Sequence, residues 1–218
     1  DLPKIRTTNK LRTIFERVDI DIESISIAYC PERVLPGNIM SELISNDRII
    51  GGVNDESTRV VSEFYKTFVN GSVLMTTAKT AEMCKLAENS FRDVNIAFAN
   101  ELSMICDNHD IDVWELINLA NRHPRVDILK PGTGVGGHCI AVDPWFIVSE
   151  NPEQARIIRE ARLVNDSKPK WVVNKIVSKV NALVAEGNKR PKVACFGLAF
   201  KPDIDDFRES PAIKVIDL

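Results

Sequence analysis

Between residues 20 and 29 apolar positions first alternate with polar ones and then run together, ending at Cys30-Pro31-Glu32; this is the pattern of a strand that feeds a loop. Residues 48–53 (RIIGGV) and 72–76 read as two further short strands, and residues 56–69 between them space their apolar side chains as a helix does. Alternation of strands and helices predicts the end of a parallel α/β domain. At residue 78 the period changes. Met83, Ala87, Phe91, Val94, Phe98, Leu102 and Ile105 recur by fours and threes, which makes one apolar stripe along a helix of residues 78–109. At 1.5 Å per residue that helix is roughly 45–50 Å long. A small domain does not cover such a length, so a spine between lobes or subunits is expected.

Residues 112–121 predict a short amphipathic helix, and residues 122–137, rich in Pro and Gly, an irregular segment. A second long helix is expected after Asn151, with Asn151 as its cap and Pro152 in its first position. It reaches residue 185 with Val173, Ile176, Val180 and Leu183 on one face, and Pro169 is expected to kink it or to start a new helix. After a linker at 187–190, residues 192–198 (KVACFGL) read as a buried strand that opens another α/β unit. The expected class is therefore α/β with a long-helix central domain and partial parallel α/β units at each end, divided at 1–76, 77–187 and 188–218. The chain opens on Asp1-Leu2-Pro3 without an initiator Met and closes inside an apolar helical pattern, so it reads as an internal piece of something longer.

Composition adds exclusions. A hydrophobic share of 44% and a charged share of 27% suit a soluble protein with a real core. The net charge of −3 and the scatter of basic residues argue against a nucleic-acid stripe. No apolar run approaches the ~18 residues of a membrane span. The five cysteines form no C-x-x-C pair and no zinc-type spacing with His109, His123 or His138, so no metal site is expected. An odd cysteine count without a secretory signal predicts reduced thiols in the cytoplasm.

The stretch richest in chemistry runs from Gly132 through Gly134, Gly136, Gly137, His138, Cys139 and Asp143 to Trp145. A glycine fingerprint for a dinucleotide must follow a strand and open a helix; Leu129-Lys130-Pro131 make a poor strand end, and that reading is rejected. The glycines are instead expected to let backbone approach a ligand and to present Cys139 at a helix start, where the helix N-terminus favours a thiolate. Asp143, one turn on, is placed to order water or carry a proton. Taken alone, this pattern leaves open a buried structural thiol, the usual fate of a free cysteine. Core packing is expected for Cys30, Cys84, Cys106 and Cys195. Lys85, Asn89 and Arg92 share a helix face away from the apolar stripe and suit an anionic, hydroxyl-rich ligand, although a solvated face has the same spacing. Arg125, beside His123 in the irregular segment, is either a phosphate ligand or plain surface.

Four motifs in order, Cys30–Gly37, Thr80–Asn89, Gly136–Asp143 and Gly197–Pro211, together resemble the UDP-glucose/GDP-mannose dehydrogenase family over nearly the whole chain. The resemblance implies a two-step, NAD-dependent oxidation of a sugar C6 alcohol to a carboxylate, with Cys139 as the covalent nucleophile. It implies that Lys85 and Asn89 stabilise the oxyanion and that Asp143 and Glu32 organise proton transfer and water. Arg33, Val34, Lys85, Asn89, Arg92, His123, Arg125, Gly136, Phe200 and Lys201 are implied to contact the UDP-sugar, Arg125 from across a homodimer interface built by the long central helices, and Arg208 to reach NAD. Pro36 stands where the UDP-glucose enzymes carry Glu, and Val142 where they carry Lys. The motif versions resemble instead the branch that acts on UDP-N-acetyl-D-mannosamine, with UDP-N-acetylglucosamine or UDP-glucose as alternative substrates. The glycine fingerprint for NAD is not in this chain, so by itself the chain is expected to be inactive, or a dimerisation module without turnover.

Overall fold

In the computed structural model the described residues are 7–17, 25–34, 37–201 and 205–218. They divide into two compact units, Asp1–Glu88 and Asn89–Leu218.

The first unit begins with helix α1 (Thr7–Arg17) and contains a three-stranded sheet in the order β1 (Ala28–Tyr29), β2 (Arg48–Gly52), β3 (Val73–Thr77). β2 and β3 are parallel and joined through helix α3 (Asp55–Lys66), the expected strand–helix–strand unit; β1 pairs antiparallel to β2, with Ala28 opposite Gly52. Of the strand expected over 20–29, residues 20–24 lie outside the described residues and Ala28–Tyr29 is the part that pairs. α3 starts where Asn54 accepts the Ser57 N–H at 2.7 Å, with Asp55 and Glu56 in its first turn and Lys66 in its last. Those charges complement the helix dipole at both ends. Gly51 and Gly52 set how tightly β2 is packed. A Cβ on Gly51 would stand 2.3 Å from the Thr77 carbonyl oxygen, and one on Gly52 would stand 2.4 Å from the Thr58 nitrogen. Helix α2 (Ile39–Ser45), not foreseen from the pattern, precedes β2.

Helix α4 (Ala78–Asn108) runs for 31 residues, as the period predicts, and the boundary between the two units falls within it. In the second unit follow α5 (Val113–Ala120), capped by Asp112 on the Trp114 and Glu115 amides, α6 (Asp143–Glu150), α7 (Arg156–Ala185) and α8 (Pro211–Asp217). α7 starts later than expected. Asn151 gives its N–H to Ile147 to finish α6, and its carbonyl takes the Ala155 N–H, so Pro152 sits in a turn and not at a helix start. Pro169 does not begin a new helix either. Its ring removes the N–H that would have met the Asn165 carbonyl, and that oxygen faces the close approach of Gly134.

The strand expected at 192–198 is not formed. Residues 191–198 pair with no segment among the described residues, and Val193 and Phe196 are 60% and 93% exposed. A strand needs a neighbour for its backbone groups, and apolar sequence does not supply one. Cys195 is accordingly exposed, not packed in a core; Cys106 is buried, while Cys30 and Cys84 are half-buried.

α4 and α7 face each other through polar side chains. Ser90, Asp93 and Asn100 of α4 are buried with Ala97, and Arg162, Asn165 and Lys168 of α7 with Ala161. The apolar stripe of α4 points elsewhere: Phe91 is 72% exposed, and Phe98 and Ile105 are also open. Among the described residues no helix is long and apolar enough to cross a membrane, and no group of three His, Cys, Asp or Glu is placed to hold a metal ion.

Candidate active site

Residues 122–137 form no regular element, so their backbone polar groups need partners of another kind. Three asparagines supply several of them. Asn95 donates to the Asp127 carbonyl and accepts the Leu129 N–H; Asn121 brackets Ile128, accepting its N–H at 2.8 Å and donating to its carbonyl at 3.0 Å; Asn100 accepts the Gly132 N–H at 2.8 Å. A side-chain amide carries the same donor and acceptor as a peptide, and here it stands in for a neighbouring strand.

Beyond Gly132 the loop is held by packing. A Cβ on Gly136 would lie 2.5 Å from the Phe200 Cβ, 2.8 Å from the Glu209 carbonyl oxygen and 2.9 Å from Pro211 Cδ. Gly137, at φ +82°, presses on the Phe200 ring and donates its N–H to the Arg208 carbonyl at 3.2 Å. Whatever ligand the glycines admit, they also make room for Phe200 and Pro211 of the same unit.

The loop ends in a turn at 138–142. The Cys139 carbonyl accepts the N–H groups of Val142 and Asp143, at 3.1 and 2.8 Å. Cys139 therefore stands just ahead of α6, not inside its first turn, with its side chain half-buried. Asp143, the first residue of α6, is fully buried, and Asn89 Nδ2 donates to its Oδ2 at 2.6 Å. This bond joins two residues 54 positions apart that the sequence marks out separately, one by helix spacing and one by the Gly-Cys motif.

Arg208 grips Asp206 in a two-pronged pair, Nε to Oδ1 at 2.9 Å and Nη2 to Oδ2 at 2.7 Å. The Arg208 side-chain and backbone donors, with a smaller contribution from His138, hold the Asp206 carboxyl down at about 2. Asp206 chiefly, and the Cys139 sulfur in lesser degree, raise the Arg208 guanidinium above its ordinary value. Arg208 thus lies within electrostatic reach of the candidate nucleophile. Asn89, Gly136, Cys139, Asp143, Phe200 and Arg208 are brought together around one loop.

The other candidates make local contacts of their own. His123 Nδ1 accepts the Arg125 N–H at 3.3 Å, which ties the ring to its own turn, and both side chains are exposed, as are those of Arg92 and Lys201. In the first unit Glu32 Oε1 accepts the N–H groups of Arg33 and Val34 at 2.7 and 2.9 Å and lies 3.8 Å from buried Arg48. Arg33 is paired with Glu88 at 3.0 Å. Lys85, half-buried, lies four residues before Asn89 in α4. Leu35 and Pro36 of the first motif, and Pro202 to Ile204 of the last, are outside the described residues.

Sequence reasoning missed the three clamping asparagines and the buried Asp93, Arg162, Asn165 and Lys168. The available signal was polar residues at 90, 93 and 100, spaced to share one helix face beside the apolar stripe.

Comparison with known proteins gives consistent matches. The UDP-glucose/GDP-mannose dehydrogenase family matches in three parts: its NAD binding domain over residues 3–69, its central domain over 79–167 and its UDP binding domain over 194–218. A UDP-N-acetyl-D-mannosamine dehydrogenase of Yersinia pestis is 66% identical over 197 residues, covering 89% of this chain and 47% of the relative. An NDP-N-acetyl-D-galactosaminuronic acid dehydrogenase of Ralstonia nicotianae is 60% identical over 88% of this chain and 44% of its own length. Among solved structures, the UDP-D-ManNAc dehydrogenase of Pyrococcus horikoshii superposes with a TM-score of 0.90 at 40% identity, over 99% of this chain and 51% of that one. The chain spans about half the length of the curated relatives it matches.

Proposed function

Because the chain belongs to the UDP-glucose/GDP-mannose dehydrogenase family, we propose that its residues serve an NAD-dependent 6-dehydrogenase that turns UDP-N-acetyl-D-mannosamine into the uronate. The observation that carries this reading is the half-buried Cys139 one turn before a fully buried Asp143, which is itself tied to Asn89.

The chemistry needs a covalent hold on the aldehyde. Bound NAD would supply the oxidant, accepting one hydride from C6 in each of the two oxidations. After the first, the Cys139 sulfur adds to the aldehyde carbon and its electron pair forms the C–S bond, while the carbonyl oxygen gains the charge and then a proton. Loss of hydride from that tetrahedral adduct leaves a thioester. Water adds to the acyl carbon, the C–S bond breaks, and carboxylate and thiol are released. Lys85 and Asn89, on α4, stabilise the oxygen where charge develops. Asp143, out of solvent and oriented by Asn89, aligns the water, with Glu32 assisting the proton transfer. Arg33, Val34, Arg92, His123, Arg125, Gly136, Phe200 and Lys201 contact the nucleotide sugar.

The described residues fit NAD in part. Arg208, paired with Asp206 but exposed, offers a guanidinium at the edge of the cysteine loop, where its carbonyl accepts the Gly137 N–H. The first turn of α3, by contrast, carries Asp55 and Glu56, and its cap residue Asn54 already satisfies Ser57, so it is no site for a pyrophosphate.

The chain pairs with a second copy through α4 and α7. Phe91 and Ile157 are each 72% exposed, and a mainly apolar groove is lined by Val94, Phe98, Ile157 and Val164, with Glu101, Arg156, Arg159 and Glu160 among them. A contiguous apolar patch of this kind marks an interface, and two-fold pairing is the commonest closure. Free thiols suit a reducing cytoplasm. The decisive experiment presents the whole enzyme and its Cys139→Ser variant with NAD and a panel of UDP-N-acetylhexosamines and UDP-glucose. Uronate formed from the N-acetylmannosamine compound by the parent, and lost in the variant, supports the reading. Full turnover by the variant overturns it, and preference for another sugar moves the substrate.

A further inference from the structure

The Gly132 N–H is the point at which the cysteine loop is tied to the buried polar core of the second unit, and its acceptor is Asn100, which is fully buried. Asn100 spends its other group, Nδ2, on Asn165 Oδ1 at 2.9 Å. Asn165 in turn donates to Asp93, to Oδ1 at 2.9 Å and to the carbonyl oxygen at 3.1 Å, and Arg162 also donates to Asp93 Oδ1, at 2.7 Å. The direction of this chain of bonds is set from its far end. Asp93 offers Asn165 only acceptors, so Asn165 must turn its NH2 toward Asp93 and its oxygen toward Asn100. Asn100 must then turn its NH2 toward Asn165, which leaves its oxygen facing Gly132. Neither amide can flip without setting two acceptors or two donors against each other in a buried site.

The same helix holds the other end of the loop. Asn89 and Asn100 are 11 residues apart on α4; at 100° per residue they share a face, about 16 Å apart along the axis. Asn100 takes the loop's entry at Gly132, and Asn89 takes Asp143, one turn after Cys139. The stretch between, which contains the nucleophile, is tied at both ends to one helix, while Phe200, Pro211 and the Arg208 carbonyl hold its middle. Building on Cys139 as nucleophile, we infer that Asn100 is a positioning residue for the thiol: it sets the height of the loop through Gly132, and so the place from which the Cys139 sulfur meets the aldehyde.

The test uses Asn100→Asp in the whole enzyme, with NAD, the UDP-sugar and a carbonyl-trapping amine. Aspartate is isosteric with asparagine, and its carboxylate still accepts from Gly132, but it sets a second oxygen against Asn165 Oδ1. When protonated it regains a donor, the direction of the chain is restored, and burial favours that neutral form. The first oxidation does not involve the sulfur and the capture does. The variant is therefore expected to raise the ratio of trapped aldehyde to uronate by about 10–100-fold, the scale of a small misplacement of reacting groups. KM for the UDP-sugar stays unchanged, and the ratio, normalised to the parent at each pH, returns toward one as pH falls. A role limited to stability lowers the amount of folded enzyme and leaves the ratio alone; an unchanged or pH-independent ratio overturns the inference. Should Asn100→Asp not fold, Asn100→Ala, in which water can replace the lost amide, must raise the same ratio. Cys139→Ser, run in parallel, separates the two readings: if it too forms uronate without trapped aldehyde, the assignment of the nucleophile fails, and the positioning of Asn100 fails with it.

Discussion

Replacing Arg162 with Met tests the buried polar contact between α4 and α7 most directly. Arg162 is 2% exposed and Asp93 is fully buried, and the pair meets at 2.7 Å. Removing one partner of a buried ion pair typically costs about 3–5 kcal/mol, because the other charge is stranded without water. Asp93 keeps the Asn165 donor at 2.9 Å, so the lower end of that range, about 3 kcal/mol, is expected. The bond from Arg162 to half-exposed Asp166 adds little. For a chain of this size the loss corresponds to roughly 6–12 °C in Tm. The pH dependence distinguishes this cause from simple loss of packing. Burial holds the Asp93 carboxyl above its ordinary range, and Arg162 pulls it back down. A folded pKa above the unfolded one gives stability that is present at low pH and lost as pH rises through the folded value. Without Arg162 that value climbs further, so the deficit of the variant grows with pH and shrinks in acid. Urea and thermal unfolding followed by helical ellipticity, at about pH 5 and about pH 8, reads both quantities. The double variant Asp93→Leu/Arg162→Met removes both charges and leaves Asn165 its bond to the carbonyl of residue 93, so it should recover to within about 1 kcal/mol of the parent. A deficit for Arg162→Met below about 1 kcal/mol, or one equal at both pH values, would refute the reasoning.

Burial lowers the Lys168 ammonium to about 8, with Asp107 opposing weakly; the unfolded chain therefore binds more protons above that value, and stability should gain from this group as pH rises from about 8 toward the unfolded pKa. Lys168→Met should remove that gain, and an unaltered pH slope would count against it. Gly136→Ala places a methyl 2.5 Å from the Phe200 Cβ and 2.8 Å from the Glu209 carbonyl oxygen, which should cost about 1–3 kcal/mol in urea; a variant as stable as the parent would mean that the loop yields. Lys85→Ala in the whole enzyme should lower kcat by about 10²–10³, the loss typical of one oxyanion donor, whereas a change confined to KM would assign Lys85 to binding alone. Phe98→Glu should convert a dimer measured by light scattering to a monomer; a monomeric parent would remove the pairing altogether.

Periodicity and short motifs were enough for much of the backbone. The 31 residues of α4, the strand–helix–strand unit around α3 and the caps at Asn54 and Asp112 follow from local spacing and from side chains that bond their own neighbours. The Gly-Cys motif marked Cys139 and Asp143, and helix spacing marked Lys85 and Asn89, because each set is contiguous or one turn apart in the chain. What local pattern does not contain is the partner. Residues 192–198 are as apolar as a buried strand, yet they remain irregular and exposed, since no described segment pairs with them as a strand. Asn151 resembles a helix cap until α6 claims its N–H. Asn95, Asn100 and Asn121 look like ordinary polar helix residues, and only the fold brings the loop at 127–132 within reach of their amides. Tertiary structure also decided which side of α4 is its interior: the apolar stripe stays exposed on this chain, while Asp93 and Asn100 are buried where Arg162, Asn165 and Lys168 of α7 reach Asp93 Oδ1, the Asn100 amide and the Asn100 carbonyl. The sequence by itself determined the elements and the chemistry carried on them. Which polar groups could be buried was decided by partners up to 72 residues away, because leaving water costs a polar group far less when its hydrogen bonds are replaced.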